Sequence, residues 1–118
     1  MPAEPGWDAM SGREIRIQGE GGEFMAYLAT PGTGRGPGLV VIQEIFGVNA
    51  VMRGIADDFA ARGYFALAPD LFWRLEPGVQ LTDKSDAEWQ RAFGLMGRFD
   101  PDAGVKDIQS SLSHLRTL

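Results

Sequence analysis

"GLVVIQEIFGVNA", Gly38–Ala50, running on into "VMRGIADDFAARGYFALAPD", Val51–Asp70, decides the fold. "LVVI" is four consecutive apolar residues of high β-propensity, the pattern of a strand buried on both faces. From Asn49 the period changes. Val48, Val51, Met52, Ile55, Phe59 and Ala60 fall on one helical stripe, Asn49 is placed to cap its start and Gly63 to stop it. "YFALAPD" then reads as a second buried strand, ended by Pro69. Strand, helix and strand within about 30 residues make a right-handed βαβ unit with parallel strands.

Working outward, "REIRIQGEGGEFMAYLATP" holds two period-2 runs, Ile15/Ile17 and Phe24/Ala26/Leu28, separated by "GEGG", which predicts a β-hairpin. "GTGRGPG" is a surface loop, and residues 1–12, rich in Pro, Gly and small side chains, read as a flexible arm. On the other side, "LFWRLEPGVQLTD" is an irregular excursion. Ser85 and Glu88 form a capping-box pattern that opens a helix with Trp89, Ala92, Phe93 and Met96 on its apolar face. Asp100-Pro101 starts another, with Val105, Ile108, Leu112 and Leu115 recurring at spacings of three and four. Residues 13–118 are therefore expected to form one α/β unit: a hairpin, a βαβ unit and two further helices.

Composition narrows the function. The net charge is -5, and the 11 basic residues are scattered, so no nucleic-acid surface is expected. Without cysteine there is no disulfide, thiolate ligand or Cys nucleophile within these residues, and one histidine leaves no multi-His metal site. No metal and no cofactor is expected. The start lacks a basic segment followed by an apolar one, and no apolar run approaches the roughly 20 residues that span a bilayer. The expectation is a cytoplasmic protein without a membrane partner.

In open α/β sheets, ligands bind beyond the carboxyl ends of parallel strands, and "QEIFG" lies at that place. Glu44 is thus a candidate for chemistry. It reads equally as a solvated loop residue or an electrostatic aid to the helix that follows. Asp70, ending the second parallel strand on the same edge, forms an imaginable acid–base pair with Glu44. The plainer expectation is that Asp70 binds local backbone amides and Trp73 packs under the excursion.

Together, "VVIQEIFGVNAVMRGIADDFAARGYFALAPDLFWRLEPG" and "FDPDAGVKDI" resemble the N-terminal part of the dienelactone hydrolase (carboxymethylenebutenolidase) family of the α/β-hydrolase superfamily, over roughly residues 13–116. The resemblance implies the N-terminal half of an α/β-hydrolase fold and an ester or lactone hydrolase working through an acyl-enzyme. It also implies roles: Glu44 helps to activate the nucleophile, the Ile45 backbone N–H belongs to the oxyanion hole, and Phe46 lines the substrate pocket.

This sequence departs from the family pattern at two places. The family's nucleophile elbow, Gly-x-Cys-x-Gly, and its later Asp and His have no counterpart among these residues, nor is there a Gly-x-Ser-x-Gly. His114, within the last helix, reads as a helix-surface or core-edge residue. Second, the family's carboxylate-binding Arg and Tyr fall by ungapped alignment on Trp89 and Phe93, which become candidate substrate-binding residues and argue against dienelactone as the substrate. Arg91 projects away from Trp89, toward solvent.

The superfamily strand that would flank "LVVI" is also missing, so an exposed sheet edge is expected. The chain is expected to be inactive by itself and to need a complementing C-terminal half. The alternative is a binding or assembly module that dimerises through the edge; a minimal enzyme using Glu44 and Asp70 is a third reading.

Overall fold

A computed structural model describes residues 12–118, so the arm expected over residues 1–12 lies, apart from Gly12, outside the described residues. Strands β1 (Arg13–Gly19) and β2 (Gly22–Ala29) form the hairpin, in a register running from Arg13 opposite Leu28 to Gly19 opposite Gly22. The turn between them needs a left-handed residue, and Gly21 supplies it with φ of 87°. Strand β3 (Gly38–Val40) pairs parallel with β4 (Phe65–Pro69), which pairs antiparallel with β2. The sheet order is β1-β2-β4-β3.

Helix α1 (Ala50–Ala61) crosses between the two parallel strands. Asn49 caps it, accepting from the Met52 N–H at 3.1 Å. At its other end Gly63 takes φ of 102°, and the N–H groups of Gly63 and Tyr64 close back on Ala60 and Phe59. Helix α2 (Asp86–Arg98) is capped by Ser85, and α3 (Pro101–Leu115) by Asp100 with Pro101 at its first turn.

Alternation along β4 sorts its side chains between two cores. Ala66 and Ala68 face α1, where small side chains let the helix approach, and meet Ala56, Ala60, Tyr27 and Val48. Phe65 and Leu67 face α3, in a cluster with Ile17, Phe24 and Leu28 against which Leu115 packs. Burying Phe24, Leu28 or Leu67 contributes roughly 1.5–3 kcal/mol each. A third cluster, Phe72, Val79 and Leu95, lies under the excursion and holds α2 in place.

The apolar faces differ from the sequence reading in four elements. "LVVI" is not buried on both faces: Leu39, Val40 and Val41 are half-buried and Ile42 is 49% exposed. Among the described residues β3 has β4 as its sole neighbour and forms the sheet edge. In α1 the buried stripe is Met52, Ala56 and Ala60, while Val51 is 61% exposed and Ile55 is also exposed, because close approach to the alanine face of β4 favours the small side chains. In α2 the buried residues are Ala92 and Leu95, and Phe93 and Met96 face outward, since the helix packs against the excursion and not against the sheet. In α3 the buried residues are Gly104, Asp107 and Ser111. The Phe99 ring fills the space a side chain at Gly104 would need, and Asp107 is held by the excursion, so Val105 and Leu112 turn to the surface.

Candidate functional site

Beyond Val40 the chain leaves the sheet through one last bond, Val41 N–H to the Leu67 carbonyl at 2.8 Å, and then turns. Glu44 to Gly47 form the turn, closed by the Gly47 N–H donating to the Glu44 carbonyl at 3.3 Å. Gly47 has φ of 82°, and a Cβ there would run into the Val79 carbonyl, so glycine is required twice over. The excursion fastens the turn from outside: the Leu81 N–H donates to the Phe46 carbonyl at 2.8 Å, and Asn49 Nδ2 to the Leu81 carbonyl at 2.8 Å.

The Glu44 side chain is exposed on the ridge between two clefts. One, of about 220 Å³, is walled by Ile42, Ile45, Leu71, Phe72, Met96 and Phe99, with Gln43 and Glu44 supplying its polar atoms. The other, of about 350 Å³, is more polar and brings Phe46, Asn49, Thr82, Asp83 and Lys84 against Glu44. The Ile45 N–H makes no hydrogen bond among the described residues. A carboxylate and a free N–H, one residue apart beyond a parallel strand, are the elements of proton transfer and anion stabilisation.

The aromatic candidates form a file running out from this turn. Phe46, buried, meets Trp89 edge-on at 5.0 Å between centroids, and Trp89 meets Phe93 at 5.6 Å. Trp89 Nε1 donates to the Asp83 carbonyl at 2.9 Å. Phe46 borders the polar cleft, whereas Phe93 is 56% exposed at the outer end of the file and borders neither cleft. Arg91 is exposed and pairs with Glu76 on the excursion.

Asp70 is 1% exposed and accepts from the Phe72 N–H at 3.1 Å and the Gly78 N–H at 2.9 Å, which folds the excursion over it. Burial pushes its carboxyl above the ordinary carboxylate range, and the two N–H bonds oppose that push. Both oxygens are thus occupied by backbone, and Asp70 is a turn-former as expected. Trp73 stacks on Phe24 and donates through Nε1 to Asp107, on the α3 face of the sheet. His114 is half-buried in the last turn of α3, whose Leu115 touches Gly38, at the opposite end of β3 from Glu44.

Gln43, which the sequence does not mark as a site residue, and Met96, expected on the apolar face of α2, both border the apolar cleft. Met96 is open to that cleft because α2 buries Ala92 and Leu95 instead. Gln43 follows an apolar strand with no period to mark it; its distant partner, the Leu71 N–H just past β4, is visible only in three dimensions.

A mixed sheet ordered β1-β2-β4-β3, helices on both faces and an acidic turn after β3 define the N-terminal part of an α/β-hydrolase fold. The chain belongs to the dienelactone hydrolase family, whose model matches residues 24–118. A protein from Azospirillum brasilense assigned as a carboxymethylenebutenolidase is 64% identical over 85 residues, 71% of this chain and 37% of its own length. The carboxymethylenebutenolidase of Pseudomonas sp. (strain P51) is 37% identical over 94 residues, 80% of this chain and 40% of its own. A crystal structure of a Klebsiella pneumoniae protein assigned as a dienelactone hydrolase superposes with a TM-score of 0.72 at 26% identity, over 90% of this chain and 43% of that one. The chain thus spans about two fifths of the length of the relatives it matches. No helix among the described residues is long and apolar enough to cross a membrane.

Proposed function

We propose that this chain supplies the β3-end portion of an ester or lactone hydrolase site, completed by a nucleophile, a base and an orienting acid from outside these 118 residues. Glu44 helps to activate the nucleophile, and the Ile45 N–H donates to the oxyanion that forms when the nucleophile attacks the substrate carbonyl. Phe46 borders the polar cleft with Trp89 and Phe93 behind it, so aromatic side chains stand where the family's carboxylate-binding Arg and Tyr fall, and Lys84 is the cation bordering that cleft; this favours a substrate other than a dienelactone. Without the nucleophile the chain by itself does not turn over, because an oxyanion donor alone leaves only a small part of the acceleration.

The observation that carries this reading is the pairing of Glu44 with a free Ile45 N–H in one hydrogen-bonded turn between two clefts. The test is reconstitution: the chain is mixed with an excess of the C-terminal portion of the Azospirillum brasilense relative, and hydrolysis of a p-nitrophenyl ester is followed. Activity from the mixture and from neither part alone is expected, and Glu44→Gln should abolish it. No activity from a mixture shown to associate sinks the proposal.

A second reading, an assembly module that pairs with a copy of itself, is favoured by the half-buried edge of β3 with Ile42 exposed beside it. A strictly monomeric chain at micromolar concentration by light scattering argues against it.

A further inference from the structure

Gln43 joins the ends of the two parallel strands through both ends of its amide. The Leu71 N–H, just past β4, donates to Gln43 Oε1 at 2.8 Å, and Gln43 Nε2 donates to the Glu44 carbonyl at 3.1 Å. The partners dictate the residue type: one offers only a donor and the other only an acceptor, so a side chain carrying both is required. Glutamate in its charged form lacks the donor, and leucine lacks both.

The Glu44 carbonyl shares its peptide plane with the Ile45 N–H. No peptide here is cis, so the two groups point in opposite directions, and whatever fixes the carbonyl fixes the N–H. The turn's own bond to that carbonyl, from Gly47, is the longer of the two at 3.3 Å. The Leu71–Gln43–Glu44 sequence is also a chain of amides aligned head to tail, in which each hydrogen bond polarises the next and makes the Ile45 N–H a stronger donor.

We infer that Gln43 is a positioning residue: it aims and strengthens the Ile45 N–H by holding the Glu44 carbonyl, and it reads that aim from the end of β4. This rests on the proposed role of Ile45 in the oxyanion hole. Gln43 itself touches no reacting atom.

The first test uses the chain alone, isotopically labelled, beside Gln43→Leu and Gln43→Glu. The carboxyl introduced by Gln43→Glu keeps the Leu71 bond at every pH but donates to the Glu44 carbonyl only when protonated. The Glu44 carbonyl-carbon and Ile45 amide resonances of Gln43→Glu should therefore move together with pH, beyond the effect of Glu44's own side chain in the unsubstituted chain. They should approach the unsubstituted positions in acid, while those of Gln43→Leu stay displaced. Resonances that coincide in all three chains overturn the inference.

The second test uses the reconstituted enzyme. The kcat of Gln43→Glu relative to the unsubstituted enzyme should fall about tenfold or more as pH rises through the titration of the introduced carboxyl, a part of the 100-fold or larger loss seen when an oxyanion donor is removed outright, with KM unchanged. A ratio flat in pH, or a loss confined to KM, shows that Gln43 only anchors Leu71. If the unsubstituted chain gives no turnover on reconstitution, the proposed function fails, and the resonances still decide whether Gln43 sets the peptide.

Discussion

Trp73 and Asp107, 34 residues apart, are joined by a hydrogen bond of 3.0 Å from the indole Nε1 to the carboxylate Oδ2. The same oxygen takes Arg74 Nη1 at 2.6 Å, while Arg74 Nη2 reaches the Glu20 carbonyl at the hairpin turn and its guanidinium lies over the Trp73 ring. One buried carboxylate thereby ties α3, the excursion and the hairpin together.

Removing that carboxylate leaves an indole N–H and a cation without their partner, one of the few ways a single substitution becomes severe. Asp107→Ala is expected to lose about 2–4 kcal/mol of unfolding free energy, below the full cost of breaking a buried pair because Arg74 is partly exposed to water. Trp73→Phe keeps an aromatic ring against Phe24 but loses the donor and the bulk of the fused ring, for about 1–3 kcal/mol. Urea unfolding of both chains checks the order; a loss from Trp73→Phe equal to or larger than that from Asp107→Ala would count against the carboxylate as the central tie.

Asp70 makes a pH-dependent contribution whose sign follows from burial. Its folded-state pKa is raised above the ordinary 3.8, so the folded chain holds this proton more tightly than the unfolded chain does. The associated stability is fully present below 3.8 and is lost as pH rises through the raised value. Asp70→Asn should remove this falling component from the unfolding free energy measured against pH. It should also cost about 1–2 kcal/mol at all pH values, because an amide accepts well from only one of the two N–H groups of Phe72 and Gly78.

Much of this architecture was legible because it is written in local chemistry. Period-2 runs around "GEGG" gave the hairpin, Asn49 and Gly63 bounded α1, Ser85 and Asp100 opened the last two helices, and the position of Glu44 followed from the strand that precedes it. What was not legible was which way each helix faces. Val105 and Leu112 recur at helical spacing yet lie at the surface, because the buried face of α3 carries Gly104, against the Phe99 ring, and Asp107, bonded to Trp73 and Arg74 of the excursion, and a buried polar residue has no hydrophobic signal. Gln43 was missed for a related reason: its meaning lies in a bond to Leu71, 28 residues on.

Gly47 is the position at which the site's geometry and the fold's stability are hardest to separate. Gly47→Ala forces a side chain into a left-handed conformation and against the Val79 carbonyl, and is expected to destabilise by about 1–3 kcal/mol. Because Gly47 closes the turn on the Glu44 carbonyl, the Ile45 and Glu44 resonances should also shift. A destabilised chain with those resonances unmoved would show that the turn tolerates strain elsewhere.

The outer edge of β3 makes its own prediction about the isolated chain. Its N–H and C=O groups have no second strand among the described residues, and no Lys or Pro guards Leu39 to Ile42. The chain is expected to self-associate with rising concentration, and Ile42→Lys should suppress this by placing a charge at the strand's exit. Since Ile42 is 49% exposed, the substitution should change the unfolding free energy little, by about 0.5 kcal/mol or less. Light scattering over a concentration series, with unfolding measured on the same samples, separates the two effects. Self-association that survives Ile42→Lys would move the contact away from the β3 edge, to the exposed Val105 and Leu112 of α3.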